Sequence, residues 1–567
     1  MNNTPDPFLL TRFPNLANIQ VIVLFTITLW ASLTHADVQF TRVTEEAGIQ
    51  FRHFNGAIGE KHLVETMGGG AAFFDYNNDD NLDIYLVNGA PLTKYIPDTL
   101  PTNQLYRNNG DGTFTNVTLQ AGVGDTGYGI GCCVADYNND GNRDLFVTNF
   151  GQNILYQNNG NGTFTDVSRR AGITSEKHFS AGCAFADYNN DGWLDLAVVN
   201  YVLLDLENAP DCSQNGIPAY CRPEDFAPAP DVLYRNNGDG TFTDVTQDAG
   251  LTLLGRGLGV VWTDVDNDGW LDLYIANDRD ANFLYHNNGD GTFTESGELF
   301  GITRNEHGDA ESSMGIDTAD YDNDGDLDVI LTHYQAETNT LYQNDGNGIF
   351  WDVTAQSRLG EPTLLPLAWG TNFADFDNDG WLDLFFANGH LHDNIEQLEE
   401  VGVYKQRNQL FHNQGNGLYT DISNKCGKGV LIEKSSRGSI FGDYDNDGDI
   451  DIFVMNIADT PDLLRNDTQP IHHWLIIKLV GKKSNRDGIG TKVTLQIGDM
   501  RLLREVKSGS SYLSQNPFRL LVGLNAAEKV DRIVVHWQNG VQDVIENVKS
   551  NQWLTIQEGD GIISVKP

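Results

Sequence analysis

Residues 320 to 328 read Asp-Tyr-Asp-Asn-Asp-Gly-Asp-Leu-Asp and lie between two apolar runs. Each of the seven segments of this kind follows the pattern D-x-[DN]-x-D-[GD]-x-x-D, so oxygen-bearing side chains recur at positions 1, 3, 5 and 9. The glycine at position 6 permits a sharp turn that points these side chains toward one centre. We call these nine-residue segments aspartate loops one to seven; they begin at Asp75, Asp136, Asp187, Asp264, Asp320, Asp375 and Asp443.

The aspartate loops carry the ligand chemistry of a calcium site. Calcium takes roughly six to eight oxygen ligands at about 2.3–2.6 Å, and the backbone carbonyl at position 7 adds a fifth protein ligand to the four side chains. Without a cation, two carboxylates about 4–5 Å apart would repel each other by about 3–4 kcal/mol at an effective dielectric constant near 20. The sequence therefore predicts up to seven Ca²⁺ ions, one per loop, rather than plain turns.

An EF-hand is the main alternative for such a loop. It requires helices on both sides and a bidentate glutamate at position 12. Position 12 is Ile275 in loop four and Leu331 in loop five, and the flanking segments have the patterns of strands. The aspartate at position 9 must therefore close the site. The predicted ligands, among which the residue at position 7 acts through its carbonyl, are Asp75, Asn77, Asp79, Asn81, Asp83; Asp136, Asn138, Asp140, Asn142, Asp144; Asp187, Asn189, Asp191, Trp193, Asp195; Asp264, Asp266, Asp268, Trp270, Asp272; Asp320, Asp322, Asp324, Asp326, Asp328; Asp375, Asp377, Asp379, Trp381, Asp383; and Asp443, Asp445, Asp447, Asp449, Asp451.

The seven loops are not equivalent. The loops that begin at Asp320 and Asp443 are the most anionic. Loops two and three have Asn138 and Asn189 at position 3, so we expect weaker binding there. Loop one is the doubtful site, because Asp80 replaces the glycine at position 6 and strains the turn.

The loops recur about every 61 residues, a spacing typical of propellers and solenoids. Each repeat contains four strand-like segments, which in the first repeat are 68–74, 82–87, 105–108 and 113–117. Asn-Gly and Asp-Gly pairs between the last two segments are the usual chemistry of a tight hairpin. Four antiparallel strands repeated seven times predict an all-β fold, a seven-bladed β-propeller.

The seventh repeat lacks its fourth strand, because the chain after residue 466 has no Gly-x-Gly-Thr-Phe-Thr segment. Residues 38–44 match that missing strand and precede the first loop. We therefore expect the N-terminal strand to complete the last blade and close the ring, which leaves no long open edge. The predicted propeller spans residues 37–468.

Residues 1–36 have the pattern of a signal peptide. The segment 19–31 is an apolar run of suitable length, and Thr34-His35-Ala36 suits cleavage before Asp37. Since Arg12 is the only basic residue of this segment, an uncleaved signal anchor is the alternative. No other segment approaches the length of a membrane span, so the mature chain is expected to be secreted or extracytoplasmic, in the periplasm or at the cell surface of a bacterium.

Six cysteines are compatible with export. Cys212 and Cys221 flank a short polar loop and are the pair expected to form a disulfide. Cys132, Cys133 and Cys183 lie in small-residue strands just before aspartate loops, so we interpret them as buried core residues.

The net charge of −43 argues against nucleic-acid binding. Much of this charge belongs to the predicted metal sites, because the loops contain 28 of the 79 acidic residues. Seven bound Ca²⁺ ions would bring the net charge from −43 to −29. The hydrophobic content of 40% excludes a disordered chain.

The C-terminal region, residues 469–567, differs from the repeats. It is more basic, lacks aspartate loops and shows strand-like alternation at 474–479, 492–497 and 532–537. These patterns predict a separate, small all-β domain.

With these motifs in view, the chain resembles the cartilage acidic protein family, which joins FG-GAP/VCBS repeats to an ASPIC/UnbV domain. The C-terminal resemblance rests on the segments 481–490, 508–514, 522–524 and 535–540, and the repeats are similar to those of integrin α-subunit propellers. The resemblance implies an exported, calcium-binding, non-catalytic protein of adhesion or matrix type. The chain departs from the family pattern at Gln538-Asn539 and at Asp80.

The long connections of the repeats are expected on the face opposite the aspartate loops. Variable loops on a rigid scaffold commonly bind partners, so this face is the predicted site for a protein or glycan. Tyr201, Tyr220 and Phe226 are candidate exposed aromatics there. The long connections are 46–68, 201–231, 297–313, 353–369 and 389–408.

A polysaccharide-acting enzyme is the alternative function. His390, His392 and Asp393 lie in one of the long connections, and His53 and His62 lie in another. His390 and His392 with loop carboxylates could serve acid–base chemistry. We favour hydrogen-bonded loop histidines, because no nucleophile motif, phosphate loop or zinc-type cysteine spacing accompanies them.

Overall fold

The strands form seven four-stranded antiparallel sheets, followed by a two-sheet C-terminal region. The second and third of the seven are joined into one eight-stranded sheet, because His178–Ala186 also pairs with Asp144–Gly151. The structure is a computed structural model that describes residues 38–92, 98–173, 178–399, 401–469 and 472–567. The predicted signal peptide lies outside the described residues. The strands of the seven sheets are Ala71–Phe74, Asp83–Leu86, Gln104–Asn108, Phe114–Asn116; Tyr128–Ala135, Asp144–Gly151, Ile154–Asn158, Phe164–Asp166; His178–Ala186, Asp195–Asn200, Val232–Asn236, Phe242–Asp244; Gly257–Thr263, Asp272–Asn277, Phe283–Asn287, Phe293–Glu295; Ile316–Ala319, Asp328–Leu331, Thr340–Asn344, Phe350–Asp352; Ala368–Ala374, Asp383–Asn388, Gln409–Asn413, Tyr419–Asp421; and Ser436–Gly442, Asp451–Asn456, Asp462–Asn466, Phe40–Arg42.

The seven sheets are the blades of a closed propeller, which confirms the predicted fold class. The first strands of consecutive blades contact one another, and the first strand of blade seven contacts that of blade one. Phe40–Arg42 is the fourth strand of blade seven, with Phe40 opposite Asn466 and Arg42 opposite Leu464. The first residues of the fold therefore pair with its last blade.

An aromatic contact recurs between neighbouring blades. The residue at position 2 of an aspartate loop packs against an aromatic side chain of the fourth strand of the next blade. Tyr76 stacks on Phe164 at a ring-centroid distance of 6.1 Å, and Phe376 meets Phe40 edge-on at 5.4 Å. Phe40 thus supplies from the N-terminal strand the aromatic ring that a phenylalanine or tyrosine of the fourth strand supplies in the other blades.

Short elements occupy the connections. The helical turns are Leu63–Thr66, Thr118–Ala121, Ser168–Ala171, Pro223–Asp225, Gly297–Phe300, Gly360–Thr363 and Ile395–Leu398. The two-residue strands pair as Ser213–Gln214 with Ile217–Pro218, Ala229–Pro230 with Leu254–Gly255, and Gln406–Arg407 with Glu433–Lys434. Among the described residues, no helix is long and apolar enough to span a membrane.

The C-terminal region consists of two four-stranded sheets. Leu475, Ile477, Val535 and Trp537 are buried in its core. His473–Val480 and Gln552–Gln557 form a parallel pair within an otherwise antiparallel arrangement. In sheet order the strands are Leu520–Asn525, His473–Val480, Gln552–Gln557, Gly561–Lys566; and Met500–Glu505, Lys492–Ile497, Lys529–His536, Gln542–Lys549.

The predicted small all-β C-terminal domain is present, and it packs closely against the propeller. This domain and the propeller belong to one compact unit, Ala36–Pro567, and share a hydrophobic core with blades one to three. Part of the contact comes from the segment 508–516, which lies in the central channel of the propeller against the inner strands of the blades. We call this segment the plug.

The plug contacts the inner strands around the ring. Ser511 exchanges two backbone hydrogen bonds with Ile316 of blade five, at 2.7 and 3.0 Å. The carbonyl of Leu513 accepts the N–H of Cys132 in blade two, and the N–H of Gln515 donates to Ala71 in blade one. The buried groups of the channel thereby obtain partners that no single blade provides.

Candidate metal centres and the face opposite them

Each aspartate loop joins the first and second strands of a blade and is held by its own carboxylates. In loop two, the Asp136 carboxylate accepts the backbone N–H groups of Asp140 at 2.9 Å and Gly141 at 2.7 Å. At the other end of loop five, Asp328 accepts the N–H of Tyr321 at 3.2 Å. These bonds fix the turn and leave the remaining oxygens of the loop aimed at its centre.

Buried side-chain oxygens without a hydrogen-bond partner among the described residues occur in loops two to seven. Both carboxylate oxygens of Asp377 are of this kind, although its side chain is only 2% exposed. Buried carboxylates without partners are costly unless a cation compensates them. The aspartates with such an oxygen are Asp144, Asp195, Asp266, Asp320, Asp322, Asp377, Asp445 and Asp449.

The clustering of carboxylates and the raised pKa of one of them also indicate that a cation would be favourable in these loops. One ligand atom each of Asp320, Asp322 and Asp328 lies within 4.8 Å of the others. Burial, with a smaller contribution from the neighbouring Asp324 and Asp322, raises the pKa of Asp320 to about 7, although the Arg504 guanidinium opposes the shift. A bound cation would relieve both effects, and an all-oxygen donor set fits the preference of Ca²⁺.

Loop one differs from the other six. The amide groups of Asn77 and Asn81 donate to the Asp79 carboxylate at 2.9 and 3.0 Å, so its oxygens are already paired. Asp80 adopts a φ of +66° and points away from the loop to Lys478, at 2.8 Å, and Lys566. Burial opposes ionisation, but these two ammonium groups lower the pKa of Asp80 to about 2. The replacement of glycine here anchors the C-terminal domain.

A ring of asparagines links each loop to the next blade. The residue at position 4 is asparagine in all seven loops, with φ between +56° and +61°. Asparagine tolerates this left-handed conformation better than most residues. Its Nδ2 donates to the following loop at 2.9–3.4 Å in the pairs Asn78–Gly141, Asn139–Gly192, Asn190–Gly269, Asn267–Asp326, Asn323–Gly380, Asn378–Gly448 and Asn446–Asn81.

A second ring of asparagines runs in the opposite direction. The asparagine that ends the third strand of each blade donates through Nδ2 to the position 2 carbonyl of the preceding blade. The pairs, at 2.7–2.9 Å, are Asn108–Tyr444, Asn158–Tyr76, Asn236–Tyr137, Asn287–Tyr188, Asn344–Val265, Asn413–Tyr321 and Asn466–Phe376. The loops are therefore joints between blades as well as candidate metal sites.

The C-terminal domain covers the loop face with basic side chains. Lys492 Nζ lies 3.1 Å from the Asp264 carboxylate, and Arg504 donates to the Gly380 carbonyl at 3.3 Å. Arg519 donates to the Asp80 carbonyl at 3.1 Å and to the Asp443 carbonyl. Opposite charges thus meet across the contact between the two domains.

Comparison with known proteins identifies both parts of the chain. A family model described as FG-GAP-like repeat matches residues 75–147, 136–198, 226–275, 264–331 and 320–386, just over half of the chain. A second model, described as ASPIC and UnbV, matches residues 481–563. The chain belongs to the family of FG-GAP-repeat proteins with a C-terminal ASPIC/UnbV domain.

Curated relatives of this family carry the name cartilage acidic protein 1. The human protein is 24% identical over 340 residues, which are 58% of this chain and 48% of the relative. The Xenopus tropicalis protein is 25% identical over 307 residues, or 53% of this chain and 44% of the relative. The chain spans about half the length of the curated relatives it matches.

One solved structure with a similar chain trace is that of an Agrocybe aegerita lectin. It is described as the structural basis of specific recognition of non-reducing terminal N-acetylglucosamine. It is 19% identical with a TM-score of 0.39, and the alignment covers 66% of this chain and 89% of that chain. A similarity at this level identifies no ligand of this chain. The plug lies within the ASPIC/UnbV match, so in this member of the family the C-terminal domain is what closes the propeller channel.

The face opposite the loops contains a cavity of about 230 Å³. Its walls come from the long, non-repeated connections of the FG-GAP repeats, and the disulfide between Cys212 and Cys221 constrains one of them. Tyr201 and Tyr220 line the cavity but are only 0% and 7% exposed, so the prediction that they are exposed aromatics is wrong. The reason is that neighbouring connections pack over them.

The plug reaches the floor of this cavity. Trp369 lines the cavity, and the ring of Tyr512 meets the Trp369 ring edge-on at 4.9 Å. The Arg437 guanidinium lies 3.9 Å from the Trp369 ring centre and is fully buried, which lowers its pKa to about 10. The two faces of the propeller are therefore connected through the plug.

Most histidines of the long connections have local partners, although Nδ1 of His392 and Nε2 of His53 are buried without a hydrogen-bond partner among the described residues. His390 is buried, and its Nδ1 accepts the backbone N–H of His392 at 3.0 Å. Burial lowers the pKa of His390 to about 3 and that of His392 to about 4, so both imidazoles are neutral at neutral pH. His62 pairs with Glu60 at 2.9 Å, and Asp393 pairs with Lys61.

The sequence reasoning missed both asparagine rings. The repeated signal was present, because asparagine occupies position 4 in every loop and ends the third strand in every blade. The acidic positions of the pattern indicate metal ligands within one loop, whereas these asparagines point to the neighbouring blade. The cysteine interpretation is confirmed, since Cys132, Cys133 and Cys183 are free and buried.

Proposed function

We propose that this chain is an exported calcium-binding β-propeller that acts as a non-catalytic scaffold for adhesion or interaction. In this proposal one Ca²⁺ ion per loop stiffens the ring, and the opposite face binds a protein or glycan. The observation that supports it best is the set of buried, unpaired carboxylate oxygens at the centres of loops two to seven. Since the same loops carry the asparagine joints, ion binding would stiffen the contacts between blades.

The energetic scale favours a structural role for the metal. At about millimolar calcium, each site with a dissociation constant near 10⁻⁴–10⁻³ M adds about 0.5–1.5 kcal/mol of stability. Several such contributions are comparable with a typical free energy of unfolding of about 5–15 kcal/mol. Loop one is expected to bind least, because its Asp79 carboxylate is already paired.

Metal analysis tests this part of the proposal. The purified full chain is stripped with EDTA, dialysed against millimolar Ca²⁺ and measured for bound calcium by mass spectrometry. We expect six to seven equivalents, and one fewer after Asp320→Ala, which removes an inward carboxylate of loop five. Binding of no calcium would overturn the role of the loops.

Extracytoplasmic localisation is part of the same proposal. The disulfide between Cys212 and Cys221 supports it, because such bonds persist mainly in oxidising compartments. Expression with and without residues 1–36, followed by fractionation, tests it. Retention of the full-length chain in the cytoplasm would contradict export.

Partner binding is proposed for the cavity face. The loop face is covered by the ASPIC/UnbV domain, whereas the cavity is bounded by connections that differ from blade to blade. A glycan array probed with the full chain, in calcium and in EDTA, tests this assignment. Binding is expected to need calcium and to weaken after Glu224→Ala at the cavity wall. Binding that survives both changes would place the partner elsewhere.

A glycan-acting enzyme is the second candidate function, and one observation favours it. Asp278 lines the cavity, accepts a hydrogen bond from the Tyr201 hydroxyl at 2.6 Å, and burial raises its pKa to about 7. A carboxyl that stays protonated near neutral pH can act as a general acid. Hydrolysis of chromogenic glycosides that is lost in both Asp278→Asn and His392→Ala would replace the scaffold proposal.

A further inference from the structure

The aspartate loops differ in one side chain that comes from outside the loop. This side chain belongs to the residue of the third strand immediately before the strand-ending asparagine, and in blades four, five and six it contacts an aspartate of the loop. This residue is arginine or glutamine in five blades and histidine in blades four and six. The residues in chain order are Arg107, Gln157, Arg235, His286, Gln343, His412 and Arg465.

In blade six the histidine joins the carboxylates of the loop. His412 Nδ1 lies 3.1 Å from Asp383 Oδ1, and one ligand atom each of Asp377, Asp383 and His412 lies within 4.8 Å of the others. Asp377 is 2% exposed, and neither of its carboxylate oxygens has a hydrogen-bond partner among the described residues. A buried, unpaired carboxylate therefore points into a group that contains an imidazole.

The distance between the nitrogen and the oxygen fits two ligands of one small ion. Ligands at about 2.0–2.2 Å from a first-row transition metal lie about 2.8–3.6 Å apart in octahedral or tetrahedral geometry. Calcium prefers oxygen ligands at longer distances, whereas imidazole nitrogen suits Zn²⁺ and related ions. The imidazole thus changes the metal preference of a loop whose other donors are oxygens.

We propose that the loop of blade six binds a divalent transition-metal ion of the Zn²⁺ class through Asp377, Asp383 and His412, while the loops without histidine bind Ca²⁺. This inference rests on the proposed function, because it requires the aspartate loops to be metal sites. It assigns two kinds of metal to one ring.

Blade four contains a second group of the same composition. His286 Nδ1 lies 3.0 Å from Asp272 Oδ1 and 3.9 Å from Asp266 Oδ2, and Asp266 Oδ1 has no partner among the described residues. Lys492 Nζ lies 3.1 Å from the Asp264 carboxylate of the same loop, so a positive charge already compensates part of its anionic charge. We therefore expect this site to bind Zn²⁺ more weakly than blade six.

Metal competition tests the proposal on the full chain. Protein stripped with EDTA is dialysed against millimolar Ca²⁺ with micromolar Zn²⁺, and both metals are counted by mass spectrometry. We expect one tightly held and one weaker equivalent of Zn²⁺, with the other loops occupied by Ca²⁺. His412→Gln should remove the tight equivalent without removing Ca²⁺ from loops two, three, five and seven, and His286→Gln should remove the weaker one.

Blade five supplies a matched control. Gln343 donates to Asp322 at 2.6 Å from the equivalent strand position, so His412→Gln gives blade six a side chain that the fold already uses. The reverse change, Gln343→His, should create a further Zn²⁺ equivalent in loop five. Substitution of Co²⁺ for Zn²⁺ adds a spectroscopic readout, because nitrogen ligation changes its visible absorption.

The outcomes separate this inference from the proposed function. Zn²⁺ binding that is unchanged in both histidine variants, or that appears equally in all loops, overturns the inference and leaves the calcium scaffold intact. In that case His412 serves as a hydrogen-bond partner of Asp383 and not as a metal ligand. If the wild-type chain binds neither metal, both proposals fail.

Discussion

The two faces of the propeller differ in how far their sequences and contacts repeat from blade to blade. On the loop face, the same nine-residue segment occurs in every blade, the same amides join neighbouring blades, and the C-terminal domain covers the result. On the opposite face, connections of different length and composition surround a cavity and carry the disulfide. Repetition marks the side that holds the ring together, and variation marks the side proposed to bind a partner.

The largest effect on stability is expected from the removal of calcium, which would act on the loop face. Transfer from millimolar Ca²⁺ to EDTA is expected to reduce the free energy of unfolding by about 4–10 kcal/mol, because several sites with individually modest affinity lose their ions together. Calorimetry in the two buffers measures the loss. An unchanged melting temperature in EDTA would show that the loop face does not depend on metal.

Removal of the plug contact is the next largest expected effect. Tyr512→Ala deletes a fully buried aromatic ring packed against Trp369, and such truncations reduce stability by about 3–5 kcal/mol. Urea denaturation measures the change, with Trp351→Ala on the outer strand of blade five as control, since Trp351 is 63% exposed. Equal stability of the two variants would mean that the channel is not held by the plug.

The third-largest effect on stability is expected from the removal of one asparagine joint. Asn378→Ala removes the bond to the Gly448 carbonyl at 2.9 Å and places alanine at a φ of +58°, so a loss of about 1–3 kcal/mol is expected. Asn378→Gly keeps the backbone conformation and loses only the bond, and its smaller effect isolates the joint. If both variants are as stable as the wild type, the ring of amides is not a source of stability.

The smallest effect on stability is expected from a substitution on the opposite face. Arg279 pairs with Glu224 at 2.9 Å at the cavity wall, but both side chains are about 40% exposed. Exposed ion pairs contribute little, so Arg279→Ala should change stability by less than about 1 kcal/mol while it alters partner binding. A destabilisation as large as that of Tyr512→Ala would remove the distinction between the faces.

The propeller could be predicted from sequence because its information is local and repeated. The period of the loops, the Gly-x-Gly hairpins and the incomplete seventh repeat together predict seven blades and the N-terminal strand beside Asn466. The proposed metal ligands follow from the spacing of acidic residues within nine positions. Each of these signals can be recognised within one repeat.

The remaining features depend on contacts between distant residues. The plug is a short polar segment with no pattern of its own, and its burial follows from a channel that exists only after seven blades assemble. The burial of Tyr201 and Tyr220 follows from the packing of connections that are far apart in the chain. The pairing of Asp80 with Lys478 joins residues from the two domains. The sequence of the loop alone therefore shows only the strain at position 6 and not the partner that favours aspartate there.

The strand Phe40–Arg42 also fixes the order of events during synthesis. Its partner strand ends at Asn466, and at about 5–20 residues per second the ribosome needs roughly 20–90 seconds to reach it. The nascent strand must stay unpaired for that time. The plug residues are synthesised later still, and they must enter the channel before the ring closes around them. The slow step of folding is therefore expected to be the pairing of the first and last strands of the ring, with a long-lived open ring as the species most exposed to aggregation and to proteases.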